Sequence, residues 1–396
     1  MRTGTNHLFI PGPTNVPDDV RRAMNVAQED QRGPDFGRFV LSILTDLKAV
    51  FRTTTGTVML FPGSGTGAWE AAITNTLNPG DRVLMARHGQ FSTLWAEMAT
   101  RLGLSVEMVD IDWGHGTPVA EFARRLAADG TIRGVFVTHN ETATGVTSDV
   151  AGVRAALDAA GHKAMLFVDG VSSIGSLDFR MDDWGVDLAV TGSQKGLMCP
   201  AGLGILAVSE KAAEAAKTAT MRRAYFEFND MAATAKTGYF PYTPPTPLLH
   251  GLRRALDRIN AEGLDAVIAR HARLAEGVRR GVAAWGLSLC ATEPGLQSNT
   301  VTAIRVPDGV DAREVIRIGY ERYNASFGSG LARLAGKVFR IGHLGDLNEG
   351  MCLTGLSIAE MALAEAGAKI VFGSGVAAAQ AWYADSLQSA HRVAAE

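Results

Sequence analysis

The chain reads as an α/β protein: a mostly parallel central sheet with helices on both faces, plus a smaller C-terminal α+β unit. Two observations predict this class. From Thr57 onward short apolar runs alternate with stretches of helical period, the pattern of strand–helix repeats that need a parallel sheet. Near residue 240 the rhythm breaks at Tyr239-Phe-Pro-Tyr-Thr-Pro-Pro-Thr-Pro247, a proline density that no helix or central strand survives. At 46% hydrophobic and 20% charged, the 396 residues supply apolar material for a large core and exclude a disordered chain.

The elements follow in order. Pro11, Pro13 and Pro17 punctuate an irregular start, expected as an extended arm over 1–20, with a helical pattern only from about Arg38 to Phe51. Apolar runs then mark buried strands at Val58–Phe61, Arg82–Met85, Val106–Val109, Gly134–Val137, Met165–Val168, Val186–Val190 and Gly204–Val208. Helical period fills Ala68–Leu77, Phe91–Leu102, Val119–Ala128 and Val150–Ala160, and Pro79-Gly80-Asp81 is a turn signal. A long helix is expected from Leu248 to about Trp285. Beyond it come a strand at Val301–Val306, a helix from Ala312, a strand at Lys337–Ile341 and a helix from Leu356 to about Ala366. The expected division is a large domain over 21–260 and a small one over 261–396.

Composition narrows the function. A net charge of −3 gives no reason to expect nucleic acid as a partner. Cys199, Cys290 and Cys352 form no CxxC pair, so neither a disulfide framework nor a structural zinc site is expected. The N-terminus lacks the apolar stretch of a signal peptide, and no run of about 18 apolar residues exists, so the expectation is a cytoplasmic chain without a membrane span. Glycine is abundant, at 44 residues, whereas lysine makes up only 8 of the 38 basic residues. A lysine among small residues therefore stands out.

In parallel α/β sheets ligands bind beyond the carboxyl ends of the strands. After Val58–Phe61 comes Pro62-Gly-Ser-Gly-Thr-Gly67 and then a helix, which reads as a phosphate cradle or as a tight strand-to-helix turn. It is neither a Walker A loop nor GxGxxG. After Met165–Val168 comes Asp169, an acid either capping a turn or facing a cationic ligand atom. After Val186–Val190 comes Thr191-Gly-Ser-Gln-Lys195-Gly, whose lysine is a loop residue or, with a lowered pKa, a nucleophile. Together the three describe a site for pyridoxal phosphate, which needs a lysine for its aldehyde, a carboxylate for its ring nitrogen and donors for its phosphate. Phe91 is a candidate to stack on the ring, or else belongs to the core.

The chain resembles the class V aminotransferases, pyridoxal-phosphate enzymes of fold type I, nearest the serine–glyoxylate and alanine–glyoxylate enzymes. The resemblance spans nearly the whole chain: PGPTNVP at 11–17, GSGTGAWEAA at 63–72, THNETATGV at 138–146, LFVDGVSSIGSLDFRMDDWGVDLAVTGSQKG at 166–196 and GKVFRIGHLG at 336–345. It implies that Lys195 forms the Schiff base and that Asp169 keeps the ring nitrogen protonated. It implies phosphate donors at Ser64, Gly65, Thr66 and Gln194, with Thr243 supplied by a neighbouring subunit. Phe91 falls at a stacking position, Thr142 at the ring hydroxyl, and Arg340 at the clamp for the substrate carboxylate. A homodimer or dimer of dimers with sites at the interface is implied, as are a small amino acid and a 2-oxo acid as substrates. The reaction implied is transamination from L-serine to glyoxylate, with aspartate or alanine as alternative donors.

Departures from the family pattern are Thr66 in place of a histidine and Gln31-Arg32 where relatives read His-Arg; Tyr239 and Tyr242 both lie near the position of a subunit-crossing tyrosine. Arg32 would serve a second carboxylate only with an aspartate donor. A cysteine desulfurase would carry His before the lysine and a loop cysteine, whereas Gln194 precedes Lys195 here. A nicotinamide dehydrogenase would need GxGxxG, and a non-catalytic protein would not need Lys195, Asp169 and Arg340 together. His88, His139 and His343 read as structural histidines.

Overall fold

The computed structural model describes residues 4–395. Strand β1 (His7–Phe9) and helix α1 (Asp18–Ala23) occupy the segment expected to be irregular. Helix α2 (Pro34–Phe51) begins one turn before the predicted Arg38, because proline at a first helical position gives up only an N–H that would be unpaired anyway.

The strand–helix alternation is present. It runs β2 (Thr57–Gly63), α3 (Gly65–Thr76), β3 (Arg82–Arg87), α4 (Gln90–Arg101), β4 (Ser105–Asp110), α5 (Val119–Ala128) and β5 (Ile132–Thr138). A two-stranded ribbon of β6 (Asn140–Glu141) and β7 (Val146–Thr147) leads into α6 (Val150–Ala159) and β8 (Met165–Asp169). Strand β9 (Leu188–Gly192) lies two residues beyond the predicted Val186–Val190; Asp187, just before it, accepts the Leu166 N–H through Oδ2 at 2.9 Å. Strand β10 (Gly202–Val208) completes a seven-stranded sheet in the order β2-β10-β9-β8-β5-β3-β4. Only β10 is antiparallel to its neighbours, so the other six strands direct their carboxyl ends to one edge.

Alternation along the strands explains why both faces are covered. Val58 and Leu60 of β2 join Leu84, Val135, Leu166 and Ala189 in one apolar layer under α2, α5 and α6. Met59 and Phe61 join Val83, Phe136, Phe167 and Val190 in the other, under α3 and α4. A strand with apolar residues on both faces reads as a continuous run, which is how these strands stood out in the sequence.

Helices α7 (Glu210–Ala216) and α8 (Phe228–Ala235) precede the proline segment. The single helix predicted over Leu248–Trp285 is two: α9 (Thr246–Glu262) and α10 (Leu264–Ala284), parted by Gly263 at φ +87°. Apolar periodicity continues through such a break, so periodicity alone cannot reveal it. The remaining elements are β11 (Val301–Arg305), α11 (Ala312–Tyr323), β12 (Ala325–Ser329), β13 (Val338–Gly342), α12 (Glu349–Glu365) and α13 (Ser374–Ala395). Helix α12 starts about two turns before the predicted Leu356, where the Asn348 side chain accepts the Met351 N–H at 3.0 Å.

A second sheet has the order β1-β12-β13-β11, so the first strand of the chain, within the predicted arm, pairs in parallel with a strand more than 300 residues away. The residues after β1 then cross Gly342, where a Cβ would lie 2.6 Å from Pro11 N. Gly342→Ala should force that crossing apart and lower stability by about 1–3 kcal/mol. Thermal unfolding beside Gly295→Ala, which adds a Cβ in open space, measures this; equal midpoints for the two variants would contradict it.

Candidate active site

The common direction of six strands gathers chemistry at one edge. There a cavity of about 320 Å³ is lined by Ser64, Gly65 and Thr66 after β2, Phe91 after β3, Thr142 in the loop after β6, Asp169 at the end of β8, and Gln194 and Lys195 after β9. Eight of the ten residues singled out in the sequence therefore meet in one space. Arg340 and Thr243 are not on its wall.

At one end stands the N-terminus of α3. Ser64 is its N-cap residue, yet its hydroxyl makes no capping bond. Unpaired N–H groups of the first turn and a free hydroxyl form an anion site. The amide oxygen of Gln194 is buried nearby without a hydrogen-bond partner among the described residues. In the middle, Phe91 and Val171 supply apolar surface, and Thr142 Oγ1 shares a 2.7 Å hydrogen bond with Ser172 Oγ.

Asp169 is 5% exposed and takes one hydrogen bond, from Val171 N–H at 2.9 Å. Burial pushes its carboxyl up to about 7, with the Glu141 carboxylate pushing the same way; the Val171 bond and the charge of Lys195 oppose both. The indole N–H of Trp69 is buried without a geometric partner, but close enough to Asp169 to draw its pKa down. An acid in this condition is completed by a protonated ring nitrogen.

Lys195 donates from Nζ to the Pro11 carbonyl at 2.6 Å. Burial first, then the charge of Arg340, lowers its pKa to about 8, against a smaller upward pull from Asp169. The arm is fastened here by two further bonds, Thr14 N–H to the Gln194 carbonyl and Thr14 Oγ1 to the Lys195 carbonyl, both at 3.1 Å. Gly12 lies where any Cβ would strike the lysine amine.

Arg340, 6% exposed on β13, donates from Nε to the Ser329 carbonyl at 2.9 Å and from Nη1 to the Thr142 carbonyl at 2.8 Å. Burial lowers its pKa to about 10, and it stays charged. Two of its five donors are used; the rest take no hydrogen bond among the described residues. An amine, an acid, an anion cradle and a flat apolar wall match the donor set pyridoxal phosphate requires.

Thr243 is exposed and accepts from Gln31 Nε2 at 3.2 Å. Tyr239 donates to the Gly33 carbonyl, while Tyr242 stacks on Tyr225 at 4.3 Å and donates to its carbonyl. The exposed Arg32 is bonded through its backbone N–H to Asp30. His88, His139 and His343 are buried, with pKa values lowered by burial to about 4, 4 and 3, so they stay neutral. The three cysteines are buried, and burial raises their thiols to about 12, 11 and 12. A larger depression, about 920 Å³, is lined by charged residues that include the pairs Arg87–Asp110 and His115–Glu293, and holds neither lysine nor cysteine.

Sequence reasoning missed Pro11, Gly12, Trp69, Glu141 and Ser172. Trp69 reads as core at helical spacing. Ser172 sits inside the motif that flagged Asp169, and that neighbourhood was the available signal.

In the cofactor-free protein, Lys195 should react with an amine-directed reagent with a midpoint near pH 8, read by peptide mass spectrometry. Arg340 holds the amine's pKa down, so Arg340→Gln moves the midpoint up; Asp169 holds it up, so Asp169→Asn moves it down. A wild-type midpoint near 10.5 contradicts the site.

The family model for class V aminotransferases matches residues 13–332. The chain is 59% identical to serine–glyoxylate aminotransferase of Hyphomicrobium methylovorum over 385 residues, covering 96% of this chain and 95% of that protein. It is 54% identical to L-aspartate–glyoxylate aminotransferase of Paracoccus denitrificans over 395 residues, covering 99% and 100%. The crystal structure of pyridoxamine–pyruvate aminotransferase from Mesorhizobium loti superposes with a TM-score of 0.92 at 29% identity, covering 98% of this chain and 100% of that one.

Proposed function

The chain belongs to the class V aminotransferases, pyridoxal-phosphate enzymes of fold type I, and from that premise we propose that it moves the amino group of L-serine to glyoxylate, giving hydroxypyruvate and glycine. The observation that carries the reading is Lys195, Asp169 and the open N-terminus of α3 around one cavity. The serine donor is supported by the 59% identical relative of that name. The full-length likeness to an aspartate–glyoxylate enzyme keeps aspartate as the second reading. Three buried cysteines with raised thiol pKa values speak against a cysteine desulfurase.

Bound pyridoxal phosphate supplies the aldehyde that carries the amino group between two acids and a ring that draws electrons from Cα when its proton leaves. The residues do the rest. Ser64, Gly65, Thr66 and Gln194 would hold the phosphate, and Phe91 would cover the ring. Asp169, as the carboxylate, would hold the proton on the ring nitrogen, and that cation would offset the burial that raises the acid's pKa to about 7. Thr142 would meet the ring hydroxyl. Arg340 receives the substrate carboxylate on its remaining donors, an end-on grip because Nε is already committed. Lys195, freed by the donor, would act as the base that moves the Cα proton; an amine with pKa about 8 is neutral often enough to do so. Both half-reactions use the same groups, so kinetics are ping-pong. The exposed Thr243 suits a homodimer in which the partner subunit's Thr243 reaches the phosphate end.

Borohydride should fix the cofactor on Lys195, mapped by peptide mass spectrometry; an adduct on another lysine overturns the assignment. A donor panel of serine, aspartate and alanine with glyoxylate should rank serine first, and aspartate first would replace the donor. Arg340→Ala should raise KM for amino donor and glyoxylate alike by about tenfold or more with cofactor retained; unchanged KM values would remove Arg340 from the site.

A further inference from the structure

Glu141 is a fully buried carboxylate that forms no ion pair among the described residues. Its partners are backbone N–H groups from two separate segments. Oε1 accepts from Phe91 at 3.2 Å and from Ala143 at 3.1 Å, and Oε2 accepts from Ser92 at 2.9 Å. One oxygen thus ties together the start of α4, which carries Phe91, and the loop that carries Thr142. The Thr142 carbonyl in turn accepts from Arg340. Phe91, Thr142 and Arg340 therefore hang on one hydrogen-bonded unit centred on Glu141.

Charge points the same way. Glu141 pulls the pKa of Arg340 up and pushes that of Asp169 up. Its charge offsets part of the burial of the guanidinium, which has only carbonyls for direct partners among the described residues. Room for it is provided by Gly89, where a Cβ would overlap Glu141 Cγ. An ordinary capping acid sits within its own helix, whereas this one reaches across from about 50 residues away.

Given the transamination proposed above, we infer that Glu141 is a positioning residue that holds the ring-stacking Phe91 and the carboxylate-binding Arg340 in register. It touches neither cofactor nor substrate in this role; it sets the affinity for both.

The test compares wild-type holoenzyme with Glu141→Gln, Gly89→Ala and Asp149→Ala. Glu141→Gln keeps length and loses the charge and one acceptor. Gly89→Ala keeps the charge and displaces the carboxylate. Asp149→Ala removes a helix cap on α6, where Oδ1 accepts the Gly152 N–H at 2.7 Å, and so measures loss of a cap alone. Glu141→Gln and Gly89→Ala should weaken the visible circular dichroism of bound pyridoxal phosphate. Each should raise the cofactor dissociation constant and the KM for donor and glyoxylate by about tenfold, with kcat changed less. Asp149→Ala should lower only the unfolding midpoint. Should Glu141→Gln fail to fold, Gly89→Ala carries the test. If a folded Glu141 or Gly89 variant loses thermal stability alone, as Asp149→Ala does, Glu141 is a structural cap and the inference fails. A wild type that takes up no pyridoxal phosphate overturns the transamination reading itself, and the inference with it.

Discussion

Four ionisable groups cluster at the candidate site, Asp169, Arg340 and Glu141 buried and Lys195 half-buried, and none forms a direct ion pair among the described residues. Each is instead solvated by backbone: Lys195 by the Pro11 carbonyl, Arg340 by those of Ser329 and Thr142, Asp169 by the Val171 N–H, and Glu141 by three N–H groups. Charges left dry would cost several kcal/mol apiece. Supplying backbone partners from the first residues of the chain, two sheets and the start of a helix is a task for the whole fold. It accounts for the chain's first strand being built into the second sheet, since that pairing anchors the stretch carrying the Pro11 carbonyl.

Backbone solvation also leaves the side chains free to react. A direct Lys195–Asp169 bridge would raise the amine's pKa and spend the acid on the wrong partner. At a distance, the two acids and two bases tune one another without committing. Burial raises Asp169 to about 7 and lowers Lys195 to about 8, so the amine is available in its neutral form near neutral pH, while the acid is left in want of a cationic partner.

The part of the site legible in sequence is the part that follows strand ends. Ser64, Asp169 and Lys195 each come within five residues after an apolar run, and parallel strands place such residues at one edge. Their roles needed no knowledge of distant pairing. Pro11 and Glu141 have no such signal. A proline in an irregular start and a glutamate inside THNETATGV gain meaning only when chain 184 residues away, or 50, is folded against them. The fold divides similarly: strands buried on both faces were legible, whereas the break at Gly263 and the pairing of β1 with β12 depend on tertiary contacts.

Substrate charge is where these constraints meet. On the proposed reading the phosphate end is served by a helix N-terminus and neutral donors, and among the described residues no arginine lines the cavity there. On the proposed reading Arg340 is left for the substrate, and with Nε and one Nη1 hydrogen used its remaining donors suit an end-on grip on one carboxylate. A second carboxylate in the same chain's cavity would lie beside Asp169 on a wall that carries no arginine among the described residues. That electrostatic balance favours a donor with one carboxylate and a small neutral side chain, as serine has. An aspartate donor would require a cation from outside this cavity, and Arg32, exposed and held only through its backbone, would have to be brought to it by a neighbouring subunit.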